Sequence, residues 1–332
     1  MSATTTSSTE LLYFGKLPSR GDFVRSAGQA GLIGSLDTWQ SQAMDKLSAD
    51  PRWKLIYDAA PTVQFAIVGT GNRMGLGGHW MASRDASGRR FPFIMAGAFD
   101  LKAPPTFASL APLALAGLWA RLGQLATLAQ EATDLEAVQG VLTGESNAAM
   151  LVEVDPACAQ AAFDDFLATH TVASLSQMLA AGGTRLDVRQ AVLALGLLLQ
   201  PAMVQGTARL SKVLCLPLVR DPAMRAAVGT FWLSLALGFF QRHAVELGMF
   251  LTSVAGRPCL LLGFQGAHAG TLHAAIDPDA LARQGVFLDE SSWVEAEIDA
   301  DYGLRKLSNY LRDPGLSLAQ VRSTYREVFL GA

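Results

Sequence analysis

Cysteine is scarce in this chain. Its three copies, Cys158, Cys215 and Cys259, are widely spaced among 332 residues and form neither a CxxC pair nor a disulfide framework. That spacing excludes a small cross-linked scaffold and predicts free thiols buried in a reducing compartment. Charge is also sparse. Only 17% of residues are charged against 50% hydrophobic, and the net charge of −3 argues against a general nucleic-acid binder. An apolar run of the roughly 20 residues that span a bilayer is missing too. Ala191 to Val204 is broken by Gln200 and Pro201, and Ala226 to Phe240 is bounded by Arg225 and Gln241, so both are predicted as buried helices. No basic start or apolar run precedes Leu11, so no signal peptide is predicted. Residues 1–10 read as a flexible tail, and the expected location is cytoplasmic.

The signatures of common catalytic sites are absent as well. There is no Gly-x-Ser-x-Gly elbow, and the five histidines (79, 170, 243, 268 and 273) show no HExxH or paired-ligand spacing. Val68 to Gly75 is glycine-rich but lacks a Gly-Lys-Ser/Thr ending, and it leads toward another strand rather than a helix N-terminus. It reads as a β-connection, not a phosphate loop. Asp164 and Asp165 would point apart on a helix. No catalytic, cofactor or metal-binding residue is predicted.

What is present is concentrated near the start. Tyr13-Phe14-Gly15-Lys16-Leu17-Pro18-Ser19-Arg20-Gly21-Asp22-Phe23-Val24-Arg25 runs from an aromatic strand into a Gly/Pro turn, with three cations and one carboxylate in thirteen residues. Ser87-Gly88-Arg89-Arg90-Phe91-Pro92-Phe93 repeats the same mixture. Leu32, Leu36, Trp39, Ala43 and Leu47 recur at helical spacing, predicting a helix from about 32 to 48. Strands are predicted at 63–68, 77–84 and 91–99, the last two flanking the Asp85-Ala86-Ser87-Gly88 turn, with one long helix from about 107 to 131. Lys16, Arg20, Asp22, Arg25, Arg89 and Arg90 are the candidate partner-binding residues. They either rim the sheet and pair locally with Asp22 or Asp85, or form a basic surface that recognises an acidic or phosphorylated protein segment.

These segments, together with Asp37-Thr38-Trp39, resemble the N-terminal domain of the TagF/ImpM family, accessory proteins of bacterial type VI secretion. The resemblance covers about the first third of the chain. It implies a regulator rather than an enzyme, one that restrains the secretion machine after translation, in some species through its forkhead-associated (Fha) scaffold. It carries over no catalytic residues.

The length suits about two domains. The expected fold is α+β: a 1–10 tail, an N-terminal domain over 11–131, and a helical region with a second α+β domain over 132–332. With a short second strand expected around Asp22-Phe23-Val24-Arg25, the element order of the first domain is ββαβββα, shared by longin- and profilin-like antiparallel sheets flanked by helices. The second half is expected to be helical plus mixed α/β. From Leu122 to Thr184 there is no Lys or Arg, while Glu131, Asp134, Glu136, Glu145, Glu153, Asp155, Asp164 and Asp165 fall there. That contrast with the basic N-terminal motifs allows either separate solvated faces or an electrostatic match. Gly182-Gly183 ends the acidic part. Strands are predicted at 212–219, 249–254, 259–264 and 271–276, with Asp221-Pro222 and Asp277-Pro278 opening helices and Ser317 to Gln320 capping the last one. A hydrolase in the second half, or a structural subunit of the secretion baseplate, are the rival readings.

Overall fold

The computed structural model describes residues 11–143, 156–208 and 210–331. The first half opens with β1 (Leu11–Gly15), β2 (Val24–Arg25), α1 (Ala30–Ser48) and α2 (Trp53–Asp58). It continues through β3 (Val63–Gly69), β4 (Met74–Met81), β5 (Phe93–Asp100), α3 (Pro104–Ala114), α4 (Ala116–Glu131) and α5 (Leu135–Thr143). The single helix expected over 107–131 is therefore two. Pro112 cannot donate to the carbonyl one turn back, and the chain leaves the helix at Leu115 (φ −98°, ψ −2°) before restarting.

After the undescribed stretch come α6 (Pro156–Thr169), α7 (Val172–Ala181), α8 (Val188–Leu199), α9 (Ala202–Gln205) and β6 (Val213–Pro217). Then follow α10 (Pro222–Ala236), extended by a 3₁₀ turn over Leu237–Phe240, β7 (Glu246–Val254) and β8 (Arg257–Gly263). The chain closes with α11 (Ala269–Ile276), α12 (Pro278–Gln284), β9 (Gly285–Phe287), α13 (Val294–Ala300), α14 (Tyr302–Leu311) and α15 (Leu318–Leu330). Asp221 and Asp277 cap α10 and α12, and Ser317 with Gln320 forms a capping box on α15, as their sequence signals indicate. The strand expected at 271–276 is instead helix α11. All eight of its residues are buried, so its sequence carries no polar stripe to separate helix from strand.

The nine strands among the described residues form one sheet in the order β2-β1-β5-β4-β3-β7-β8-β6-β9. The two halves meet at β3 and β7, which pair antiparallel from Gln64↔Leu251 to Gly69↔Glu246. The sheet thus runs unbroken from one half into the other. It is antiparallel except at its far edge, where β6 runs parallel to β9. The fold is α+β, with a mixed sheet and helices on both faces.

Both faces of the strands are apolar. On β5, Phe93 and Met95 enter one core, while Ile94 and Ala96 enter the other. On β8, Leu260 and Leu262 are separated from Cys259 and Leu261 in the same way. α1, α11 and α12 help cover one face; α3, α4, α6 and α10 help cover the other. Two-sided coverage explains why these strands read as continuous apolar runs without alternation. Val188–Gln205 and Pro222–Phe240 have the length and composition of membrane spans, but much of each is packed inside the protein, 50% and 72% respectively. Cys215 and Cys259 are buried, whereas Cys158 is exposed, contrary to expectation: its helix α6 turns that position to solvent.

Candidate functional site: the basic turn and hairpin

Two loops and the end of one helix converge at the β1 side of the sheet. Gly15 ends β1 with φ +142°, and a Cβ there would lie 2.0 Å from the Pro92 carbonyl oxygen. Only glycine lets the chain pass so close to the hairpin at that angle. Residues 16–25 then wrap the tip of the β4–β5 hairpin. Ala86 N–H donates to the Arg20 carbonyl (2.8 Å), and Arg89 Nη2 donates to the Gly21 carbonyl (2.6 Å).

The centre of this junction is Asp85, whose side chain is fully buried. It accepts hydrogen bonds from Lys16 Nζ (3.0 Å), Ser87 N–H (2.9 Å), Ser87 Oγ (2.7 Å), Arg89 N–H (2.9 Å) and Arg89 Nε (2.6 Å). Burial alone would push this carboxyl upward. The hydrogen bonds from Ser87, Lys16 and Arg89 outweigh it and hold the group well below the usual carboxylate range. A second anchor lies beside it. Ser83 Oγ donates to the Lys16 carbonyl (2.7 Å), Tyr57 Oη donates to the Ser83 carbonyl (2.8 Å), and Ser83 N–H donates back to Tyr57 Oη (2.8 Å). Burial raises the Tyr57 hydroxyl pKa, so it stays protonated as a donor. Arg90 grips Asp58 at the end of α2 through Nε–Oδ1 (2.7 Å) and Nη2–Oδ2 (2.6 Å), a bidentate pair that lowers the Asp58 pKa.

The six residues singled out in the sequence therefore divide. Lys16, Arg89 and Arg90 are committed to carboxylates inside the junction. Lys16 is itself buried, and of the two local carboxylates open to it, Asp22 and Asp85, it pairs with Asp85. Asp22 pairs with no cation among the described residues; its Oδ1 accepts the Phe23 N–H (2.8 Å). Arg20 and Arg25 have no side-chain partner among the described residues. Arg25 stands exposed on the edge strand β2, opposite Phe14 across the ladder. Arg84, which bridges to Arg90 through the backbone, is a further exposed cation beside them. Six cations against Asp22, Asp58 and Asp85 leave an excess of three positive charges on this corner.

One contributor was missed in the sequence. Phe23 is 42% exposed. It stacks on Phe14 (5.3 Å between centroids, 3° between planes), meets Phe91 edge-on (5.0 Å), and carries Lys16 Nζ above its ring (5.1 Å). An exposed aromatic ring thus lies on the same loop as the free arginines. The Asp58 partner of Arg90 was also unseen, since nothing in a sequence links positions 32 apart.

Elsewhere, the glycine-rich segment after β3 turns directly into β4, with no helix N-terminus beyond it. Among the described residues, no group of three His, Cys, Asp or Glu side chains could hold a metal. None of Glu131, Asp134, Glu136, Asp164 or Asp165 forms an ion pair with the basic corner among the described residues; Glu145, Glu153 and Asp155 lie outside the described residues.

The junction falls inside a region with a known counterpart. Residues 13–144 match the TagF N-terminal domain, described as type VI secretion system-associated. The match bears out the TagF/ImpM resemblance over that stretch, and it takes in β1 to β5 with both basic loops. A solved structure, PA0076 from Pseudomonas aeruginosa PAO1, is 24% identical over 41% of this chain, with a TM-score of 0.32. The chain spans 62% of the length of that protein. No curated protein matches the chain.

Proposed function

We propose that the protein is an accessory regulator of type VI secretion, acting after translation as a repressor by binding another component of the machine. The TagF N-terminal domain over residues 13–144 carries this reading. The forkhead-associated scaffold is the partner we favour, with the complex forming in the cytoplasm and no catalytic step involved. The basic corner supports docking by its chemistry: Arg20 and Arg25 are free to make bidentate contacts to carboxylate or phosphate groups, and the exposed Phe23 ring on the same loop offers an apolar anchor. Lys16, Asp85, Arg89 and Arg90 hold that surface in shape instead of reading the partner.

Titration of the purified scaffold with the full chain tests this, at two salt concentrations. Binding should weaken as salt rises, because rim charges are screened over roughly 8–10 Å at physiological ionic strength. Arg20→Glu/Arg25→Glu should bind more weakly while remaining folded. Equal affinity of the folded double variant would place the docking surface elsewhere. No binding by the wild-type chain would remove the scaffold as partner.

A further inference from the structure

The helical second half of the chain carries a second concentration of unpaired positive charge. Helices α6 and α15 pack beside each other and leave an open cleft of about 490 Å³, lined by Asp164, Leu167, Ala319, Arg322, Ser323 and Arg326. Arg322 and Arg326 stand one helical turn apart on α15, so both guanidinium groups reach the same cleft, where like charges repel. Neither has an ion pair or a side-chain hydrogen bond among the described residues. Arg322 is half-buried with its guanidinium carbon 5.5 Å from the centroid of the buried Phe163 ring, and its buried Nε lacks any acceptor. The carboxylate lining the cleft, Asp164, forms no ion pair with either arginine, and its Oδ1 already accepts from Gln160 Nε2 (2.8 Å). Burial first, and then the charge of Arg326, depress the Arg322 pKa, while Asp164 offsets them in part.

This arrangement is costly unless something fills it. A buried donor without an acceptor forfeits a hydrogen bond, and two unpaired guanidinium groups raise each other's energy. A compact oxyanion in the cleft relieves the repulsion between them. We infer that the α6–α15 cleft is an anion site for a phosphoryl group, held by the paired forks of Arg322 and Arg326 with the Ser323 hydroxyl at its edge. Planar guanidinium forks match tetrahedral oxygens two at a time, which a single lysine could not do. The cleft opens to solvent, so the phosphoryl group can arrive free, on a nucleotide or on a phosphorylated side chain.

Isothermal titration of the full chain with inorganic phosphate, at constant ionic strength set by chloride, tests the site. Saturable binding is expected, and Arg326→Gln should weaken it by about tenfold or more, the loss of one charged hydrogen-bonding group. Arg326 packs on no aromatic ring among the described residues, so this variant should keep its fold; Arg322→Gln, which loses the stacking on Phe163, serves as the second variant. Adenosine monophosphate and a phosphoserine peptide are then titrated as sources of the same group. Tighter binding of one of them than of phosphate names the source, and equal binding of all three assigns the free anion. No binding of any phosphoryl probe, or unchanged binding by folded Arg326→Gln, overturns the inference.

Discussion

Replacing Phe250 with Ala should weaken both halves of the molecule together. Phe250 sits on β7 directly opposite Phe65 on β3, where the two halves of the sheet join. Both rings are fully buried. Trp39 from α1 packs over them, at 5.1 Å from Phe65 and 6.0 Å from Phe250. Removing the ring takes out one wall of that three-ring cluster in a face already closed by α1 and α11, so little can collapse into the gap. A buried Phe→Ala change of this kind costs about 3–5 kcal/mol, from lost transfer energy and the cavity left behind. Set against total stabilities of roughly 5–15 kcal/mol, that is a large share. At about 2 °C per kcal/mol for a chain of this size, the melting temperature should fall by roughly 6–10 °C. Scanning calorimetry is the assay. One endotherm is expected in wild type and variant, moved as a whole, because strand pairing crosses the seam without a break. Two endotherms of which only one moves, or an unmoved single endotherm, would refute the reasoning.

The buried carboxylate of Asp85 gives a pH prediction. Its pKa in the folded chain lies below the unfolded value of about 3.9, so its contribution to stability is fully present above that value and is lost as pH falls through the folded pKa. Wild type should therefore exceed Asp85→Asn in urea-unfolding stability at pH 7, with the gap narrowing only below about pH 4; a gap that grows on acidification would contradict the network. Gly15→Ala should be destabilising by more than an ordinary surface change, since its methyl meets the Pro92 carbonyl at a positive φ. A melting temperature within 1–2 °C of wild type, roughly the effect of a neutral surface substitution, would show that the turn can shift aside.

Much of this was legible in the chain itself, and the rest was hidden for physical reasons. The Gly15-to-Arg25 turn and the 85–88 hairpin tip announce themselves because glycine, proline and aspartate act locally on the backbone. The second hairpin follows the same logic: Ala255 and Gly256 both take positive φ (49° and 76°), the geometry of a tight two-residue turn, with Arg257 and Pro258 already in the strand. Helix caps at Asp221, Asp277 and Ser317 are local too. By contrast, the union of β3 with β7 leaves no local trace, since it pairs residues some 180 positions apart in a sheet apolar on both faces. Helix α11 was mistaken for a strand on the same ground, as burial all around erases periodicity. At the site, the sequence located the cations and named Asp85 as a local partner, but not which of them it holds. Whether Arg90 is free or bound depends on Asp58, brought in by α2, a short helix without a distinctive pattern. Lys16 is buried only because Asp85 is aimed at it across 69 positions.

The central claim, that this chain restrains type VI secretion through its free arginines, meets its most direct test in secreted effector levels. Three strains are compared: one lacking the gene, one restored with the wild-type chain, and one restored with Arg20→Glu/Arg25→Glu at equal protein level. Deletion should raise secretion, the wild-type chain should return it to the original level, and the double variant should leave it raised. Secretion unchanged by deletion would contradict the regulatory account, and full restoration by the double variant would contradict the role of the arginines.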